Sequence, residues 1–392
     1  MFRTMLLLTV GFALVHHHAT AAEPDVGKSK LIVPKIEVCF VLDTTGSMAG
    51  LIQGAKDKIW SITNEMLEAK TAPDIKFGLI GYRDRGDTYV TQVHPMTSDV
   101  DEVHTKLMAF TAGGGGDTPE SVNQALNEAV EKLNWSKDRS VLKLLFLVGD
   151  APPHMDYDEI RYPEICKLAV EKDLVVNTIQ CGRLQGTDVI WKEIATLTNG
   201  SYAAILQNGG TKPISTPYDQ KIGKLNAALN KTVCAYGGDW CQEEAEQKIA
   251  TQSAANDEAI ADRAKYFMMN RKVASVRGGA GFGGGSANCV ISGIDDLVTM
   301  LMDGKIKLDD SDEKKLPEDL KKMKPEQRRA EIKSRIDARR KTQAELDKIV
   351  KLRSDYIEAE KKKLASSQKP SGFDEQVKQM IRDQAARKGI EY

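Results

Sequence analysis

The stretch "CFVLDTTGSM", residues 39–48, runs from apolar residues straight into an acid and hydroxyls. Asp43, Thr45 and Ser47 fall at every second position. Such a set packs poorly but holds a hard cation well. Two further stretches carry matching chemistry. "GGGGDTPES", residues 113–121, offers Thr118 behind glycines that allow close backbone approach. "VGDAPPH", residues 148–154, ends another apolar run on Asp150. Two carboxylates and three hydroxyls, with no thiolate and no obligatory imidazole, suit Mg2+ or Mn2+, which take about six oxygens and retain waters. Ca2+ would want more oxygens and ranks behind them. Two carboxylates at most balance a divalent cation, which stays electrophilic and open to a carboxylate from outside. Nearby, His154 reads as a surface-loop histidine after "APP", and Asp117 as a solvated acid.

These residues act together only if distant parts of the chain meet. From Lys35 to Ile205 apolar runs alternate with longer periodic segments, the pattern of a parallel sheet with crossover helices. "KIEVCFVLD", "IKFGLIGYRD", "TYVTQVHPMT", "VLKLLFLVGD", "LVVNTIQCG" and "SYAAIL" read as strands. Leu51, Ile52, Ala55, Ile59, Ile62 and Met66 mark an amphipathic helix over 48–67. Further helices are expected over 100–110 and 121–133 and around 191–197. The "RGD" at 85–87 reads as a tight turn. In an open parallel sheet, ligands bind outside the carboxyl ends of the strands, where all three oxygen-bearing loops would lie. Asp43, Ser47 and Thr118 could each cap a helix singly. Five such residues on three converging loops call for a shared purpose.

The set resembles the von Willebrand factor A domain and its metal-ion-dependent adhesion site (MIDAS). The family's D-x-S-x-S stands here as D-T-T-G-S, with Thr45 retaining the oxygen of the first hydroxyl position. Thr118 matches the second-loop threonine and Asp150 the third-loop aspartate, so all five positions are filled. The resemblance spans 34–236, and "GDTPES" with "GDAPPH" is similar to bacterial secreted members. It implies a Rossmann-like α/β fold with helices on both faces. It also implies a divalent cation touched by Thr45, Ser47 and Thr118, approached through water by Asp43 and Asp150, and bridging to an Asp or Glu of a partner protein.

The remainder of the 392 residues sets the context. Arg3, the apolar run Met5 to Val15 and the small residues of "HATAAEP" predict a cleavable leader over 1–22, and hence a periplasmic or secreted protein. His16, His17 and His18 would leave with it. A formal charge of -1 gives no electrostatic ground for nucleic acid or anionic lipid. Six cysteines in an exported chain permit disulfides, and Cys234 with Cys241, flanking "AYGGDW", is the pairing expected. Beyond residue 216 the chain reads as helical: a segment over 237–304 with a helix at 242–270 and a Gly-rich linker at 277–288, then a charged tail over 305–392. In that tail Ile336, Val350, Ile357 and Leu364 share one seven-residue track with Gln343, while Arg339 and Arg353 interrupt a second track carrying Ile332 and Leu346. Such a broken stripe must pack on the domain, on a hairpin partner, or on a second copy as a dimeric coiled coil.

Other functions fit less well. A metal-dependent hydrolase or phosphatase would need a general base, for which only His154, Asp117 and Asp84 offer themselves. No Walker-type phosphate loop is present, and the G-x-G-x-x-G of Gly279, Gly281 and Gly284 lies in a stretch so glycine-rich that it carries no weight. A structural envelope protein organised by its helical tail would complement a cation-dependent binding head more than replace it.

Overall fold

The computed structural model describes residues 32–207, 214–279, 281, 285–364 and 373–392. The leader and Gly284 lie outside the described residues, as does part of the Gly-rich stretch. From Lys35 to Ile205 the chain alternates as its hydrophobic pattern demands: β1 (Lys35–Asp43), α1 (Ala49–Leu67), β2 (Asp74–Tyr82), β3 (Thr91–Thr97), α2 (Val100–Ala109), α3 (Val122–Glu131), β4 (Leu142–Gly149), α4 (Tyr162–Glu171), β5 (Val175–Cys181), α5 (Thr187–Leu197) and β6 (Tyr202–Ile205). The sheet order is β3-β2-β1-β4-β5-β6, and only the β2–β3 pair is antiparallel. This is a doubly wound, Rossmann-like sheet. Chain progression reverses direction between β1 and β4, so the loops leaving those two strands part and open a crevice at their carboxyl ends.

Alternation along β1 feeds two cores. Ile36, Val38, Phe40 and Leu42 pack under α1 and α2 on one face, while Cys39 and Val41 face α3, α4 and α5 on the other. Both faces are covered, which is why β1 and β4 read as nearly unbroken apolar runs.

The rest of the chain is helical: α6 (Asp219–Asn230), α7 (Asp239–Ala254), α8 (Asp257–Val276), α9 (Leu297–Met302), α10 (Glu318–Lys321), α11 (Pro325–Leu364) and α12 (Phe373–Arg387). The single helix expected at 242–270 is two. Asn256 ends the first by capping the second, accepting from the Ala259 N–H, while its amide donates to Asp57 on α1. α8 and α12 lie on the α1 face of the sheet, where Tyr266, Phe267, Val377, Met380 and Ile381 join the first core. Part of the Gly-rich stretch is firmly held: Ser286 and Asn288 both donate to Asp303.

The long helix α11 packs within the chain, and it does so on the track that the arginines were expected to spoil. Ile332, Arg339, Leu346 and Arg353 are all buried, whereas the other track is buried only at Gln343 and Val350 and half-buried at Ile336 and Ile357. The guanidinium of Arg339 binds the Asp296 carboxylate, the Thr232 carbonyl and the Thr232 and Thr299 hydroxyls. Arg353 reaches Asp219 on α6 and Asp262 on α8, both at 2.6 Å. A third buried arginine, Arg263 on α8, grips Asp101 on α2 through two 2.8 Å bonds. Burial alone would raise the Asp101 carboxyl, but Arg263 outweighs it and holds the group below the usual carboxylate range.

The expected Cys234–Cys241 disulfide is absent: all six cysteines are free thiols. The backbone explains it. Cys234 is tied by its N–H to the Asp296 carboxylate beside a short antiparallel bridge between Ala235 and Asp296, while Cys241 lies in the first turn of α7 and turns its thiol toward the Asp295 carbonyl.

Removing one partner of a buried ion pair leaves the other desolvated and unpaired. Arg339→Met should therefore lower the unfolding free energy by about 3–5 kcal/mol in urea titrations. A loss under about 1 kcal/mol, the range of exposed pairs, would mean that this clamp does not hold α11.

Candidate metal centre

Asp43 is the last residue of β1 and is fully buried. Its Oδ1 accepts from both the backbone N–H and the hydroxyl of Thr45, at 2.8 and 2.6 Å. Those bonds fold the chain back on itself and set the Thr45 hydroxyl 3.3 Å from that of Ser47. Asp43 Oδ2 is buried without a hydrogen-bond partner. Helix capping does not occupy these oxygens: the turn at Gly46–Met48 and the starts of α1 and α3 lack a side-chain cap.

Main-chain bonds stitch the three loops together. Gly46 N–H donates to the Gly114 carbonyl and Gly113 N–H to the Thr44 carbonyl, at 3.1 Å each, joining the first loop to the second. The Arg83 guanidinium, stacked over Tyr89, bonds the carbonyls of Thr44 and Thr111 and so reinforces that seam. Glu120 N–H donates to the Pro152 carbonyl and His154 N–H to the Glu120 carbonyl, joining the second loop to the third. Gln207, just after β6, closes the ring by donating to Asp150 Oδ2 at 2.7 Å and to the Ser47 carbonyl at 3.2 Å. Glycine is required at two points. Gly115 has φ +74°, and a Cβ there would meet the Thr45 side chain at 2.9 Å; at Gly149 a Cβ would lie 2.4 Å from the Tyr82 hydroxyl.

Thr45, Ser47, Thr118 and Asp150 thus line one open cavity of about 370 Å³, together with Asp117, Glu120 and Gln207. Asp43 sits against it, where it feels the charge of Asp150 and acts on Glu120. Four of the residues singled out in the sequence share the cavity wall and the fifth lies behind it. Sequence reasoning missed Glu120, although it stands two residues after Thr118 in the same quoted loop. Its carboxylate is buried, with Oε2 unpartnered. The available signal was "DTPES" itself, in which the acid was passed over for the threonine.

No Lys, Arg or His is among the residues lining this cavity. Burial, then the charge of Asp150, pushes Asp43 up to about 7 against the pull of its two Thr45 bonds. Burial, then Asp43, Asp84 and Asp150, pushes Glu120 up to about 9. Burial, then Asp43, Asp150 and Glu120, holds the phenol of Tyr82 well above its usual value, and its hydroxyl is also unpartnered. Buried acids crowded together, two of them with orphaned oxygens, beneath hydroxyls and without a basic neighbour, fit a divalent cation of the hard class.

His154 departs from its sequence reading. It is buried, drawn inward because its carbonyl accepts from Asn123 and its N–H pairs with Glu120. The "RGD" is a turn as expected: Asp87 N–H donates to the Asp84 carbonyl, with Gly86 at φ +93°.

Residues 37–216 match the family model described as von Willebrand factor A domain. An ariadne-like RING finger protein of Acanthamoeba polyphaga mimivirus is 27% identical over 119 residues, covering 30% of this chain and 11% of that protein. The von Willebrand factor A domain-containing protein 7 of Rattus norvegicus is 36% identical over 99 residues, covering 25% of this chain and 10% of that protein. The matched part is therefore about a tenth of the length of either relative. Among solved structures the chain is similar to proximal thread matrix protein 1 from the mussel byssus, at 13% identity and a TM-score of 0.35, over 45% of this chain and 43% of that one. A structure of that mussel protein with a zinc-occupied MIDAS motif gives 14%, 0.35, 44% and 42% respectively.

The raised carboxyls give the metal-free protein a definite pH response. A carboxyl whose folded value lies above its unfolded one contributes stability at low pH and loses it as pH rises through the folded value. In chelator, the melting temperature should therefore fall between pH 5 and 9, the window set by Asp43 at about 7 and Glu120 at about 9. Glu120→Gln should flatten that slope. A melting temperature that rises steadily across the window in both proteins would contradict the electrostatic description.

Proposed function

We propose that the von Willebrand factor A domain at residues 37–216 is an exported, cation-dependent protein-binding module, for adhesion or assembly. The observation that carries the reading is the layering of the site. Asp43 and Glu120 are buried, whereas Ser47 and Thr118 are exposed above them. The charges of Asp43 and Glu120 lie beneath, and the Ser47 and Thr118 hydroxyls stand above them, with Asp117 exposed on the rim. In this reading Thr45, Ser47 and Thr118 hold Mg2+, or Mn2+, directly, with Asp43 and Asp150 acting through water. When bound, the cation supplies an electrophilic centre that an Asp or Glu carboxylate of a partner protein can complete. Gln207 fixes the Asp150 carboxylate, and the Thr45 bonds fix Asp43, so the residues are oriented before any ligand arrives.

Export rests on the leader read at residues 1–22, and bacterial secreted members of the family offer the best parallel. No helix among the described residues is long and apolar enough to cross a membrane. Partner recognition is placed at the cation edge and not on α11, because the buried track of that helix is already used within the chain. Binding is favoured over hydrolysis because two of the three candidate bases, His154 and Asp84, lie outside the cavity lining and face each other at 3.3 Å, which leaves only the exposed Asp117.

Ser47→Ala and Thr118→Ala change exposed side chains and should fold normally, yet each should weaken Mg2+ and Mn2+ binding by about tenfold or more in calorimetric titration, a loss of about 1.4 kcal/mol. Unchanged affinity in both variants would refute the assignment. In extracts, capture of an acidic-motif partner is expected with Mg2+ and lost with EDTA; capture that survives chelation would place the interface elsewhere.

A further inference from the structure

We infer that a second cation site, of different chemistry, flanks the first and is built from His154, Asp84 and Asp117. One ligand atom from each lies within 4.8 Å of the other two. His154 is the informative member. Its ring is only 6% exposed and stacks on Tyr157 with centroids 3.9 Å apart. Nδ1 lies 2.8 Å from Asp156 Oδ1. An ionised carboxylate only accepts, so Nδ1 carries the proton, and in the neutral ring Nε2 presents a lone pair. That nitrogen has no hydrogen-bond partner and sits 3.3 Å from Asp84 Oδ2.

Two electron-rich atoms facing each other in a buried place are unfavourable unless something positive joins them. A carboxylate behind an imidazole, orienting its far nitrogen toward an ion, is how protein metal sites fix their histidines. Asp84 is equally well held: Oδ1 accepts from the Ser121 hydroxyl at 2.7 Å and Oδ2 from the Tyr157 hydroxyl at 3.0 Å. The 3.3 Å between Nε2 and Oδ2 is close to the edge of about 3.4 Å expected of a tetrahedron with bonds of about 2.1 Å. Asp117, exposed on the rim shared with the first cavity, supplies a third ligand and leaves a fourth position for water.

One imidazole and two carboxylates select an ion of the zinc class over Mg2+, which prefers oxygen alone. The competing arrangement is a protonated His154 paired with Asp84 and no ion at all. Two of the three ligands, His154 and Asp84, lie outside the first cavity, and Asp117 stands on the rim that the two sites share.

The test is Zn2+ titration by calorimetry of the full chain with Mg2+ saturating, repeated with Co2+ to read ligand-field absorption. Wild type should take up about one equivalent of Zn2+ under these conditions. Asp117→Asn, an exposed change, and His154→Gln should each weaken it by about tenfold or more. Ser47→Ala should leave it unchanged. If Asp117→Asn binds Zn2+ as wild type does, or Ser47→Ala abolishes uptake, the inference is overturned; the latter result would put the ion in the first site. Should His154→Gln fail to fold, Asp117→Asn and nitrogen NMR of the His154 ring decide. Protons on both ring nitrogens with Zn2+ present would establish the simple ion pair.

Discussion

The organising constraint of this molecule is mutual repulsion among acids that the fold forces together. β1 and β4 are neighbours; β1 ends on Asp43 and β4 is followed at once by Asp150, so the two acids come together at the sheet's carboxyl edge. The second loop then adds Glu120 below the surface. At an effective dielectric near 20, two unit charges 4 Å apart repel by about 4 kcal/mol, so full ionisation of the group without a counter-charge is untenable. The protein tolerates the crowding because main-chain bonds fix the loops, and because the acids hold their protons: burial first, and then the neighbouring carboxylates, raise Asp43 and Glu120.

The helical region bears on this edge through α1. That helix starts directly after the Thr45–Ser47 turn, so its position sets where the first loop's hydroxyls stand. α8 and α12 pack along it, with Tyr266 against Trp60 and a 2.8 Å bond from Asn64 to the Asp262 carbonyl. α8 is in turn fixed by Arg263 to α2 and by Arg353 to α11 and α6. The buried arginines are thus the far end of a continuous chain of contacts that ends at the loops of the candidate site. Buried ion pairs add little net stability over apolar substitutes, but they demand one register. A forty-residue helix with sparse apolar content gains from that demand, since a sliding stripe would break three charge pairs at once.

Much of this was legible because it follows from strong, local patterns. β1 and β4 announce themselves as apolar runs, the carboxyl-edge rule places their terminal acids, and the glycines of the second loop mark close approach. What could not be read depended on context at a distance. Arg339 and Arg353 looked like interruptions because an arginine on a helix is usually solvated; only Asp296, Asp219 and Asp262, far along the chain, make them interior residues. Asn256 within an Ala- and Glu-rich run did not outweigh the surrounding helical propensity, yet its capping bond splits the run in two. His154 followed two prolines, a surface signal, and its burial arises from pairing with Glu120 and Asn123, which no spacing rule exposes.

The second loop shows how one segment can serve two neighbouring clusters. The chain bends through Asp117–Pro119 and then forms a single parallel bridge from Glu120 to Pro153. Thr118 and Glu120 line the first cavity, Asp117 stands on its rim within reach of His154, and Ser121 turns to Asp84. Glycines precede this run because the backbone must approach the first loop closely before it meets the third. The main-chain bonds from Glu120 to Pro152 and His154 then tie this segment to the third loop, so one set of backbone contacts positions the side chains of both clusters.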